Sequence, residues 1–138
     1  MKILVTGGAG YIGSHVVIAL CEGGYEVVVL DDLSTGNREA VDNRAEFIQG
    51  STLNNDNMAT ALNGVDAVIH LAAFKAAGES MIDPGKYSQN NISGTISLLN
   101  AMMTNGVDKF IFSSTAAVYG YPKYLPLDEN HPLEPINY

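Results

Sequence analysis

The sequence predicts a doubly wound α/β domain, a parallel sheet with helices on both faces. Three observations predict it. Short apolar runs recur along the chain, helical patterns or turn signals separate them, and polar residues gather just behind the runs. Continuous apolar strands belong to sheets buried on both faces, and right-handed crossovers between parallel strands place the helices there. The chain has 138 residues, so one domain over residues 1–138 is expected. Its 46% apolar content is enough for a sizeable core.

"KILVTGG" is an apolar run ending in Gly-Gly and reads as a buried strand. From Tyr11, apolar Ile12, Val16, Ala19 and Leu20 recur at helical spacing, and Gly23-Gly24 ends that helix. "YEVVVLDD" is a second buried strand. The polar stretch Ser34 to Asn43 reads as a loop with a short helix, and "AEFIQG" as a third, shorter strand. Asn54 to Asn63 fits a small helix before Gly64, and "DAVIHLAA" is a fourth strand. Pro84 to Asn105 reads as one long helix. Ile92, Ile96, Leu99 and Met103 line one face of it, with Leu98 and Met102 beside them. "KFIFSST" is a fifth strand, and after Gly120 the pattern is irregular.

The net charge of −8 argues against nucleic acid and anionic membrane surfaces as partners. It does not exclude a phosphate ligand, because a helix N-terminus binds phosphate without charged side chains. The single cysteine, Cys21, excludes an internal disulfide framework. The absence of a signal-peptide pattern and of an apolar run of about 20 residues makes the cytoplasm the expected location. His15 and His131 have no ligand cluster around them, so no metal site is expected.

The polar segments cluster at the carboxyl ends of the strands, where ligands bind in open α/β sheets. The first is "TGGAGYIGSH", with Gly7, Gly10 and Gly13 spaced G-x-x-G-x-x-G. Gly7 permits a tight turn, Gly10 lets backbone approach a pyrophosphate, and Gly13 lets helix pack on strand. Asp31, at the end of the second strand, is placed to accept bonds from adenine-ribose hydroxyls. Its carboxylate, with Asp32 beside it, favours NAD over NADP. Arg38 is a conceivable 2′-phosphate clamp but reads better as a solvated loop residue. The small Ala72 and Ala73 let a planar group lie against the backbone, with Lys75 following. His70 reads as a satisfied core histidine. Ser113, Ser114 and Thr115 follow the fifth strand; strand-end hydroxyls often bond only local backbone. No G-x-S-x-G elbow indicates hydrolase chemistry.

Beyond these features, "VTGGAGYIGSH", "DDLSTG", "VIHLAAFKAAGES", "NNISGT" and "FIFSSTAAVYG" resemble the extended short-chain dehydrogenase/reductase family. Within it they are most similar to the UDP-glucose (UDP-galactose) 4-epimerases. The resemblance implies a Rossmann-type fold. It also implies interconversion of UDP-sugars through a transient 4-keto sugar, with hydride passed to and from NAD. By position it assigns NAD contacts to Tyr11, Ile12, Asp31, Asp32, Leu33, Ser34, Thr35, Gly36, Leu71, Ala72, Ala73, Phe74, Lys75, Asn90 and Ser113. Ser51 and Thr52 stand where the family usually has Asp and an aliphatic residue near the adenine, which weakens that contact. Thr115 is implied as the catalytic hydroxyl on the sugar C4 oxygen.

The family's proton-transfer pair is Tyr-x-x-x-Lys. Counting from Pro135 puts that tyrosine one residue beyond Tyr138; a register one residue shorter would make Tyr138 the base. The resemblance therefore implies a C-terminally incomplete sheet, lacking a sixth strand, the Tyr-x-x-x-Lys helix and the lobe that holds UDP. The expectation is NAD binding without turnover by this chain. Full-length relatives are expected to be homodimers through the Pro84–Asn105 helix, one apolar face of which would stay uncovered here. Two other readings are open: a naturally short NAD-binding or regulatory module, and a related nucleotide-sugar oxidoreductase or dehydratase. The dehydratases typically carry Asp-Glu directly after the Thr, where this chain has Ala116 and Ala117.

Overall fold

The structure is a computed structural model and describes residues 1–137. Five strands, β1 (Lys2–Thr6), β2 (Glu26–Asp31), β3 (Glu46–Gln49), β4 (Ala67–His70) and β5 (Lys109–Phe112), form one sheet in the order β3-β2-β1-β4-β5. Every pairing is parallel. The strand order reverses at β1, between β2 and β4, and that switch point opens the crevice described below.

Alternation along β1 and β2 divides the core between the two faces. Leu4, Val28 and Leu30 point to one side, with Val68 of β4. There they meet Met58, Ala61, Leu62, Leu98 and Met102 of the helical layer and its adjoining turn. Ile3, Val5, Val27 and Val29 point to the other side and pack with Val17, Val41 and Ala45. Helix α1 (Tyr11–Glu22) covers this second face, and α2 (Asn55–Ala61) with α5 (Gly94–Thr104) covers the first. The Asn54 side chain caps α2 by accepting the Asn57 N–H at 2.9 Å. Cys21 is half-buried against the second cluster, and burial raises its thiol pKa.

Three elements differ from the sequence reading. Helix α3 (Ala77–Ile82) lies in a stretch that showed no helical period. The expected single helix over Pro84–Asn105 is divided: α4 (Pro84–Tyr87), a π-helical turn (Ser88–Ser93), then α5. The wider turn admits an extra residue, and such turns are frequent at functional sites. β5, in a sheet expected to be covered on both faces, is an edge strand with Ile111 and Phe112 exposed. Among the described residues, no helix is long and apolar enough to cross a membrane.

Candidate cofactor-binding crevice

The carboxyl ends of β1, β2, β4 and β5, with the turn after β3, surround a crevice of about 710 Å³. Its floor is the β1–α1 turn. Gly7 has φ of +73°, and a Cβ on it would lie 2.7 Å from the Ala72 backbone nitrogen. A Cβ on Gly13 would lie 2.1 Å from the Gly7 carbonyl oxygen and 2.8 Å from Gly8 Cα. Helix α1 begins after Gly10 with no side-chain cap. Its first N–H groups are therefore left to a ligand, and they carry the positive end of the helix dipole. This is an anion cradle built without basic side chains, consistent with the acidic balance of the chain.

Asp31 closes β2 and is only 8% exposed. The Ala9 N–H donates to Oδ2 at 2.9 Å, and the Leu33 N–H donates to Oδ1 at 2.9 Å. The carboxylate therefore ties the glycine turn to the end of β2. Each oxygen keeps a lone pair for a ligand hydroxyl. Asp32 accepts the Ser34 N–H at 2.8 Å. Arg38 lies over the Phe47 ring, its guanidinium carbon 4.4 Å from the centroid. It is exposed, as a solvated residue is, while making this cation–π contact at β3, and it does not line the crevice.

The wall from β4 runs Leu71 to Lys75 and is held from behind. Asn91, on the π turn, grips the Phe74 backbone twice: Oδ1 accepts its N–H at 2.9 Å, and Nδ2 donates to its carbonyl at 2.9 Å. Asn90 Nδ2 donates to Asn91 Oδ1 at 2.9 Å. Glu79 accepts bonds from Lys86 Nζ and the Tyr87 hydroxyl, which hold its carboxyl below the ordinary range. Lys86 Nζ in turn lies 4.8 Å from the Phe74 ring centroid.

His70, 3% exposed, lies at the inner end of this wall. Nδ1 is 2.6 Å from Thr6 Oγ1 and Nε2 is 2.9 Å from Thr95 Oγ1. Burial pushes its pKa down to about 4. The unfolded chain, with an ordinary histidine near 6.5, binds a proton that the folded chain refuses between those values. Stability is thus full above about pH 6.5 and falls as pH drops toward 4, by an amount on the order of 3 kcal/mol from this group. Urea unfolding at pH 7 and pH 4.5 checks this: a His70→Phe variant should lose less stability on acidification than the parent.

Most residues singled out in the sequence meet in the crevice. Its lining includes Gly7, Gly10, Tyr11, Ile12 and Gly13, then Asp31, Asp32, Ser34 and Thr35, then Ser51 and Thr52. The far side adds Leu71 to Lys75, Asn90, Ser113 and Thr115. Leu33 and Gly36 do not line it. Leu33 turns inward against the second core cluster, and a Cβ on Gly36 would meet Ala9 Cβ at 2.8 Å. Both shape the loop from behind. Thr115 Oγ1 accepts the Ala117 N–H at 3.1 Å, leaving its own proton to donate. Tyr138 lies outside the described residues. Asn91, Thr95 and Tyr87 also reach the crevice and were not foreseen; the Asn-Asn pair before Gly94 was the available signal. Among the described residues, no group of three or more His, Cys, Asp or Glu could hold a metal ion.

Residues 3–138 match the model of the NAD dependent epimerase/dehydratase family. The chain is 50% identical over 139 aligned positions to the UDP-glucose 4-epimerase of Lactobacillus helveticus, covering 99% of this chain and 42% of that protein. It is 48% identical over 147 positions to that of Bacillus subtilis, covering 99% of this chain and 43% of the relative. The UDP-glucose 4-epimerase of Brucella ovis, solved in complex with NAD, superposes with a TM-score of 0.93 at 43% identity, covering 99% of this chain and 42% of that one. The Bifidobacterium longum enzyme, solved with NAD+ and UDP, gives 0.91 at 38% identity, covering 97% and 43%. The chain thus spans less than half the length of the proteins it matches.

Proposed function

The chain belongs to the NAD dependent epimerase/dehydratase family, and from that premise we propose that it is the NAD-binding portion of a UDP-sugar 4-epimerase. The observation that carries this is the convergence of the uncapped α1 N-terminus, the Asp31 carboxylate and the Leu71–Lys75 wall on one crevice. The glycine turn fits a dinucleotide because any Cβ at Gly13 would fill the cradle. The pyrophosphate would rest on the first N–H groups of α1, and Asp31 would receive the adenine ribose. Bound NAD would supply reversible hydride exchange at the sugar C4.

The chain's own residues account for the rest. Gly10 and Gly13 admit the backbone to the phosphates. Leu71 to Lys75, fixed through Phe74 by Asn91, shape the face against which a planar ring lies and exclude water from it. Thr115 presents a free hydroxyl proton toward a sugar oxygen while its own oxygen is anchored by Ala117. The exposed stripe Ile92, Ile96, Leu99 and Met103 suits pairing with a second copy in the longer enzyme. Calorimetric titration of the purified chain with NAD tests the proposal: saturable binding with one site per chain is expected, and an absence of binding heat at several temperatures defeats it. UDP-galactose conversion is to be measured with a longer protein that also carries Tyr-x-x-x-Lys.

Ser51 gives a separable test. Its hydroxyl accepts the Leu53 N–H at 3.2 Å, and it lines the crevice just after β3. Ser51→Asp would place a carboxylate toward the adenine amino group. It should tighten NAD by about 1 kcal/mol, roughly fivefold, on the same calorimeter.

A further inference from the structure

The histidine at the end of β4 does more than fill space. Thr95 Oγ1 lies 2.6 Å from the Asn91 carbonyl oxygen. A carbonyl only accepts, so the single Thr95 proton goes there. His70 Nε2, at 2.9 Å from the same hydroxyl, must then be the donor. A neutral ring protonated at Nε2 has a bare Nδ1, so Thr6 Oγ1 donates to it at 2.6 Å. Burial beside the Phe110 and Phe112 rings, whose planes lie 30° and 27° from its own, favours the neutral form.

The hydrogen bonds therefore run in one direction on each side of the ring. On one side, Thr6 lies beneath the Leu71–Ala72 backbone: its carbonyl accepts the Leu71 N–H at 3.0 Å. On the other, Thr95 and Asn91 belong to the π turn and the start of α5, and Asn91 grips Phe74.

We propose that His70, as the Nε2-protonated neutral imidazole, is a positioning residue that locks the π turn to the sheet and thereby sets the Leu71–Lys75 wall. It acts through Thr95 and Asn91 and does not itself contact the sugar. The role of the wall in cofactor affinity rests on the reading given above; the tautomer and the immobility of Phe74 do not.

Nitrogen-15 NMR of the ring at pH 7 should show Nε2 protonated and Nδ1 bare. The Nδ1-protonated tautomer, or a doubly protonated ring, would overturn the proposal. His70→Phe keeps a filled core and removes both bonds. It should weaken NAD about tenfold, consistent with losing roughly one buried hydrogen bond's worth of preorganisation, and speed hydrogen exchange at the Phe74 amide. His70→Gln can place an N–H near the Nε2 position and should recover much of both losses; a generic packing defect would not be rescued in this way. Unchanged Phe74 exchange in a folded His70→Phe, or no recovery in His70→Gln, sinks the idea. If His70→Phe does not fold, the near-isosteric Thr95→Val decides by the same readouts. Should the parent chain not bind NAD at all, the function reading fails while the tautomer and the Phe74 exchange still decide this one.

Discussion

Gly13→Ala should abolish NAD binding and destabilise the chain by ~3 kcal/mol or more, beyond ordinary overpacking. The added methyl would sit 2.1 Å from the Gly7 carbonyl oxygen, with Gly8 Cα 2.8 Å away. Both obstacles are backbone, so no rotamer change relieves the clash. Relief needs α1 to withdraw from β1, and that withdrawal removes the N–H cradle. Gly78→Ala is the contrast. That glycine lies inside α3 with nothing within 4 Å of its would-be Cβ. There the change should be neutral or stabilising by about 0.5–1 kcal/mol. Urea unfolding and calorimetry on the two variants separate steric failure at the cradle from a general intolerance of Gly→Ala.

Asp31→Ala should cost roughly 2–4 kcal/mol of stability, because two backbone N–H groups lose their acceptor at a nearly buried position. NAD affinity should fall by about a hundredfold or more, since the same change removes the ribose acceptor and frees the glycine turn. Asp31→Asn is more informative about specificity. The amide can still accept at one atom, and it no longer repels a 2′-phosphate. The ratio of NAD to NADP affinity should narrow in Asp31→Asn by about tenfold relative to the parent. Arg38 gives NADP little help, being held over Phe47. Parallel titrations with the two cofactors read this directly, and an unchanged ratio would remove Asp31 as the discriminator.

The strands and their polar ends were legible because each signal is local. A short continuous apolar run bounded by glycine or polar residues reads as a strand from its own residues. What escaped depends on contacts between distant segments. Helix α3 has six residues, too few to show a period. The π turn is joined to β4 by His70 and Thr95, 25 positions apart, and no spacing in "SQNNIS" announces it. Ile111 and Phe112 are apolar and marked only a strand; their exposure goes with β5's position at the sheet edge. Around the crevice, the sequence marked the lining segments but not which of their residues face it. Leu33 and Gly36 lie in a marked segment and point away, whereas Asn91 was passed over beside Asn90. His70 was read as a core residue; its burial agrees, and its two hydroxyl partners could be seen only once β1, β4 and α5 were assembled.

The strand order bears on how the chain is made. β1 occupies the middle of the sheet but leaves the ribosome before every other strand. Its β2 partner follows within a short stretch, yet its other neighbour starts only at Ala67, and the Lys2 N–H waits for the Asp66 carboxylate, 64 positions away. At about 5–20 residues per second, several seconds pass in which the central strand has one open edge. During that interval the nascent chain is a half-built sheet whose unsatisfied backbone invites pairing with a neighbour. Slower translation of residues 32–70 should therefore lengthen the interval in which that edge stays open.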